Sequence, residues 1–211
     1  MNNNKAIIDN DFLDKVLNAP KNSDGKDLFK RTMRELNVTP VINFYVAQHE
    51  VMENSKCKEL INEGYIQVIQ PRDFLDMENT ESYCETIKSW YRQYNGERVP
   101  VEADMLKFHS GGKSLGEMHS LLMAAYMNLP FFLSDDGDAK EIAEDKIESS
   151  KTTIKVLNLI DVYIEIGQKK TKNISLEEVR NVIQCEDKHD GIGTKRSKKE
   201  RYKTVKDKWI I

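Results

Sequence analysis

Seven acidic residues of this sequence could do chemistry together: Asp9, Glu50, Glu117, Asp135, Asp136 and Asp138, with Asp11 beside the first. Asp9 follows the short apolar run Lys5-Ala6-Ile7-Ile8, and Phe132-Leu133 leads straight into Ser134-Asp135-Asp136-Gly137-Asp138. Carboxylates crowded in one place repel, raise one another's pKa and cost stability unless a counter-ion joins them. Oxygen donors without a paired His or Cys select hard ions, so the expected cofactor is Mg2+ or Mn2+ rather than zinc. Such an ion orients a water, helps to deprotonate it and stabilises charge developing on a phosphate, which points to phosphodiester or phosphomonoester hydrolysis. Each residue also has a plainer use. Asp9 and Asp11 could cap a helix opening at Phe12, Asp135, Asp136 and Asp138 suit a turn and an N-cap, and Glu50 could be a solvated helix residue. Their joining with Glu117 and their placement at strand ends favour a site.

Those placements rest on the elements that the sequence pattern predicts. Lys5 to Ile8 reads as a central strand, followed by a helix with Phe12, Leu13, Val16 and Leu17 on its apolar stripe. Pro20 to Gly25 reads as a loop and Lys26 to Leu36 as a second helix. Pro40 to Ala47 fits either a strand or the start of a helix. Gln48 to Asn62 reads as a helix carrying Glu50, Tyr65 to Ile69 as a strand, and Glu78 to Tyr94 as a helix with an aromatic core stripe. A short helix is expected over Val101 to Phe108 and a glycine-rich loop over Ser110 to Leu115. The helix from Glu117 to Leu129 carries its glutamate in the first turn, where the helix dipole favours a negative charge. A strand at Pro130 to Leu133 follows, then a helix at Ala139 to Ile147, a strand at Ile154 to Leu157, and helices at Leu159 to Gln168 and Ser175 to Gln184. Alternating strands and helices predict an α/β fold, a three-layer α/β/α sandwich around a central, mostly parallel sheet. In such sheets the ligand crevice lies at the carboxyl ends of the strands, which brings Asp9 to the same edge as the 135 to 138 cluster.

Composition narrows the class. The chain has 211 residues, 39% hydrophobic and 32% charged, enough for one substantial core. The sequence contains neither an apolar run of bilayer length nor a signal-peptide pattern at its start, so a cytoplasmic location without a membrane partner is expected. Cys57, Cys84 and Cys185 are odd in number and lack CxxC spacing, which argues against disulfides and zinc. Gly111-Gly112-Lys113-Ser114 imitates the end of a phosphate-binding loop, but Lys107 stands where its first glycine is required. His49, His109, His119 and His189 have no ligand spacing, and no Ser-His-Asp or Cys-His arrangement can be argued.

The net charge of −3 is unevenly distributed: residues 191 to 211 carry +6, which leaves −9 on residues 1 to 190. The expected organisation is therefore a domain over residues 1 to 185 and a basic C-terminal tail over 186 to 211. In the tail Lys195, Arg196, Lys199, Arg201 and Lys203 could contact phosphates, and Tyr202 or Trp209 could stack on a base. The same segment also reads as simply solvated, and Trp209-Ile210-Ile211 as apolar enough to dock on the body or on a partner.

Taken in order, Ala6-Ile7-Ile8-Asp9 with Phe12-Leu13, Glu50, Leu115-Gly116-Glu117 and Phe132-Leu133-Ser134-Asp135-Asp136-Gly137-Asp138-Ala139 resemble the PIN-domain family, metal-dependent nucleases that include VapC-type toxins. The resemblance covers roughly residues 5 to 183 and includes Ile154 to Leu157 and Ile174-Ser175. It implies single-stranded RNA cleaved with Mg2+ or Mn2+, with Asp9, Glu117 and Asp136 as core ligands. Glu50 and Asp138 would form a second tier, and Asp135 a substitute for Asp136. The partners implied are the RNA substrate, an antitoxin or other protein, and a second copy of the chain in a homodimer. Asp11 departs from the Ser, Thr or Asn usual in the family at that place, and insertions near 18 to 38 and 71 to 110 make the chain longer than a minimal toxin. The rival enzyme class is a haloacid-dehalogenase-like phosphatase, with Asp9 as nucleophile, Asp11 as acid-base, Lys113 as the phosphate-binding lysine and Asp135-Asp136 on Mg2+. In that class Glu117 has no role and Leu13 replaces the usual Thr or Val. A third class is a non-catalytic PIN-like module that binds RNA or protein.

Overall fold

The computed structural model describes residues 4–19, 24–51, 54–96, 104–108, 114–147, 153–185 and 195–210. Five parallel strands form one sheet in the order β3-β2-β1-β4-β5: β1 (Lys5–Ile8), β2 (Thr39–Asn43), β3 (Gln67–Ile69), β4 (Phe131–Leu133) and β5 (Lys155–Leu157). In register, Ile7 lies beside Val41 on one side and Phe132 on the other, and Ile8 lies beside Leu133. Ala6, Ile7 and Ile8 are all fully buried, as a central parallel strand covered on both faces requires. Side chains alternate between the two faces: Ala6, Ile8, Ile42 and Leu133 enter one core, Ile7, Val41 and Phe132 the other.

The first core is closed by α1 (Asn10–Asn18), α2 (Gly25–Leu36), α4 (Ser55–Asn62), α8 (Leu159–Gly167) and α9 (Leu176–Gln184). The second is closed by α5 (Met77–Asn95), α6 (Leu115–Met127) and α7 (Gly137–Lys146). The result is the expected three-layer α/β/α sandwich. Among the described residues no helix is long and apolar enough to cross a membrane.

Three local expectations are corrected. The region around Glu50 is not one helix over Gln48 to Asn62 but two, α3 (Phe44–His49) and α4. Asn43 starts α3 by accepting from the Tyr45 amide, and Asn54 starts α4 by accepting from the Cys57 amide, so each asparagine satisfies an orphan donor at a new helix start. Pro40 to Ala47 therefore divides into a strand and a helix at Asn43. In place of a helix over Val101 to Phe108, the described part, 104–108, is a turn in which the Lys107 and Phe108 amides both donate to the Asp104 carbonyl.

The third correction concerns the basic segment. Lys195–Asp207 is a helix, α10, packed on α8 and α9. Tyr202 and Val205 of this helix and Trp209 just beyond its end pack on the first core, with Val205 fully buried and the two aromatics partly so. Trp209 lies so close to Gly167 that a Cβ there would sit 2.5 Å from its ring, and the Ile210 amide donates to the Gly167 carbonyl at 2.9 Å. Arg180 lies over the Tyr202 ring and Lys172 over Trp209. The two aromatics expected to stack on bases are thus engaged by the body, as the docking alternative for Trp209 had it.

Candidate metal centre

The site begins where β1 and β4 end side by side. The Asp9 amide donates to the Leu133 carbonyl at 2.9 Å and the Ser134 amide to the Leu157 carbonyl at 3.1 Å, extending the ladder one residue beyond the strands. Asp9 is 2% exposed and caps α1: one carboxylate oxygen accepts from the Asn10 amide at 2.9 Å, the other from the Ser134 hydroxyl at 2.9 Å. Ser134 in turn accepts from the Asp136 amide at 3.2 Å. Asp136 caps α7, accepting from the Asp138 amide at 2.9 Å. Capping and site geometry coincide here, because the capping bonds fix where the carboxylates stand.

Two more elements complete the crevice. At the end of β2, buried Asn43 donates to the His119 carbonyl at 3.2 Å and so ties α6, with Glu117 in its first turn, to the sheet edge. Glu50 ends α3, its amide donating to the Val46 carbonyl. Its carboxylate lies against Gly116: a Cβ there would come within 2.2 Å of Glu50 Oε1. Only glycine leaves that space for a carboxylate over the first turn of α6.

Electrostatics tie these residues together. Burial, then Asp11, push the Asp9 carboxyl well above the usual carboxylate range; Ser134 and the Asn10 amide oppose this, and Asp136 adds to it. Burial, then Asp9 and Asp11, raise Glu50. Burial, then Asp9 and Glu50, with Asp136 further down, raise Glu117. Asp11 is raised by burial and held back by Lys15. One oxygen of Asp11 accepts from Lys15 at 3.0 Å and the other is buried without a hydrogen-bond partner. Asp9, Asp11, Glu50, Glu117 and Asp136 thus form one mutually repelling set. His119, behind it, adds no compensating charge, because burial pulls its imidazole down to about 3 and Tyr83 hydrogen-bonds its Nδ1 at 2.8 Å.

Not every expected ligand belongs to this set. Asp135, expected as a metal ligand, is held by structural partners: Arg201 donates to both of its oxygens at 2.7 Å, Lys15 to one at 2.8 Å, and the Leu159 amide to the other at 3.2 Å. Its side chain is 1% exposed. Asp138 is exposed at the rim, where the Ser114 hydroxyl donates to it at 3.2 Å. Arg201, expected to meet phosphate, is committed to Asp135, whereas Lys199 and Lys203 are exposed on α10. The side chains of Lys195 and Arg196 lie outside the described residues, as do Lys113 and the loop before Ser114.

Sequence reasoning passed over Ser134, Lys15 and Asn43. Ser134 stood directly after a strand end and Lys15 four residues after Asp11, a spacing that pairs on a helix. Asn43 carried no comparable signal. As for the fit to a cation, the donors are all carboxylate oxygens and the set is short of positive charge, which suits a hard divalent ion. Among the described residues, however, no group of three His, Cys, Asp or Glu side chains is drawn together at ligating geometry. Each Asp9 oxygen accepts one hydrogen bond, which leaves a further lone pair on each for a cation. Compared with protein-family models, curated proteins and solved structures, the chain matches none.

Proposed function

We propose that the chain is a Mg2+- or Mn2+-dependent endoribonuclease of PIN type that cleaves single-stranded RNA. The observation that carries the reading is the convergence of Asp9, Glu50, Glu117 and Asp136 at the carboxyl edge of the sheet, where burial and mutual repulsion raise three of them together. Asp9, Glu117 and Asp136 would hold the ion, with Glu50 and Asp11 as neighbours that set its charge environment. When bound, the ion supplies Lewis-acid stabilisation of a phosphate and a more acidic water.

The chain's own residues define the rest. Ser134 orients Asp9, and Asn43 and Gly116 set the approach of α6 to α3. RNA as substrate class comes from the family resemblance, and the exposed Lys199 and Lys203 are the residues that would meet its phosphates. A protein inhibitor and a homodimer belong to the same reading. The phosphatase reading is supported less well, since it leaves Glu50 and Glu117 without work and requires Asp135, which Arg201 and Lys15 already hold.

An assay panel separates the readings: wild type and Asp136→Asn, labelled single-stranded RNA and a generic phosphomonoester, with Mn2+, Mg2+ or chelator. RNA cleavage by wild type, lost in the variant and in chelator, is the expected result. Monoester turnover without RNA cleavage would transfer the reading to the phosphatase class, and neither activity would leave a binding module.

A further inference from the structure

We infer that Arg201 is a positioning residue for the carboxylate site, so that α10 is a working part of the centre and not an appendage. The inference rests on the metal-site reading above and extends it to a residue some distance from the acidic set.

The Ser134-Asp135-Asp136 turn has three side chains with three destinations. Ser134 donates to Asp9. Asp135 turns to the other side, into a junction formed by Lys15 of α1, the first amide of α8 and Arg201 of α10. Asp136, in extended backbone at φ −79° and ψ 131°, returns to the site, where its charge acts on Asp9, Asp11 and Glu117. Asp135 and Asp136 are joined by one peptide unit and their side chains go to opposite sides, so an anchor on Asp135 restrains the direction of Asp136.

The junction is also where a carboxylate needs most support. With its side chain 1% exposed, Asp135 has lost its water and relies on the two cations. Lys15 is shared with Asp11, whereas Arg201 gives Asp135 two contacts at 2.7 Å. Removing Arg201 leaves Asp135 with the Leu159 amide and a Lys15 divided between two carboxylates, a weaker anchor that loosens the position of Asp136. Arg201 itself is held in register by the burial of Val205 on the same helix and the packing of Trp209 just beyond it.

The test is a Mn2+ titration of the intact chain, followed by calorimetry, for wild type, Arg201→Ala, Arg201→Met and Lys206→Ala, an exposed position of the same helix, with thermal unfolding measured in parallel. Arg201→Met keeps an aliphatic stem in place, which protects folding if Arg201→Ala does not fold. Removal of a group that orients a metal ligand typically costs ~10- to 100-fold in affinity, and a loss of that size is expected for both Arg201 variants, with Lys206→Ala unchanged. In an Asp135→Asn background, adding Arg201→Met should cost nothing more. Wild-type Mn2+ affinity in Arg201→Met, whatever its melting temperature, would overturn the inference and leave the metal site standing. Absence of Mn2+ binding by wild type would overturn the metal site and this inference with it.

Discussion

Gly116→Ala separates site geometry from stability. The added Cβ would lie 2.2 Å from Glu50 Oε1, 3.0 Å from its Cδ and 3.1 Å from Val46 Cγ2. A comfortable carbon–oxygen contact is about 3.3 Å, so the carboxylate must retreat by about 1 Å. That retreat involves the far end of a flexible side chain, and the Val46 contact asks only a few tenths of an ångström. Against these costs, replacing glycine by alanine within a helix gains about 0.5–1 kcal/mol. The melting temperature should therefore stay within ~4 °C of wild type, the shift that 1 kcal/mol produces at this size. Function should respond differently, because a misplacement of about 1 Å can cost on the order of 100-fold in rate. Mn2+ titration and RNA cleavage, measured alongside thermal unfolding, should show at least a ~10-fold loss with stability preserved. Unchanged Mn2+ affinity and cleavage would refute the role given to Glu50, and a collapse in stability would show that α6 and α3 pack differently.

Two further predictions concern charge. Because burial raises Asp9, Glu50 and Glu117 above the range they have in the unfolded chain, the native state holds more protons than the unfolded state once pH passes about 4. In chelator, stability should therefore fall as pH rises from there through neutrality, and Mn2+ should restore it by an amount that grows with pH; denaturant unfolding at several pH values measures both, and a rise in stability over that window would contradict the assignment. Asp9→Asn removes the charge at the centre of the repulsion, and its single amide oxygen keeps either the Ser134 hydroxyl or the Asn10 amide as donor and gives up the other. It should unfold ~1–2 kcal/mol later than wild type at neutral pH in chelator, within the usual gain from relieving a strained functional site, and should lose the response to Mn2+.

Much of this fold could be read from the chain because the signals were local. The run at Ala6 to Ile8 and the helical period after Glu117 gave their elements within a few residues. The failures trace to signals of another kind. Asn43 and Asn54 end one apolar pattern and begin the next through side-chain hydrogen bonds that periodicity does not register. The surplus charge of residues 191 to 211 masked the packing of Tyr202, Val205 and Trp209 that docks α10. In the site, Asp9, Glu117 and Asp136 were legible as acids at element ends, whereas Glu50 was read inside a helix that the structure breaks after His49. The fate of Asp135 was not, since its partners Lys15 and Arg201 stand 120 and 66 residues away in sequence. Adjacent identical residues with opposite destinations are indistinguishable until the fold brings those partners in.

The central claim is that the acidic crevice holds a hard divalent cation, and the most direct measurement is a Mn2+ titration of wild type against Glu117→Gln at neutral pH. The account predicts saturable binding by wild type, weakened at least ~10-fold in the variant, in line with the loss of a group that ligates or orients a ligand. Equal binding by the two proteins, or no binding by wild type at millimolar Mn2+, would contradict it.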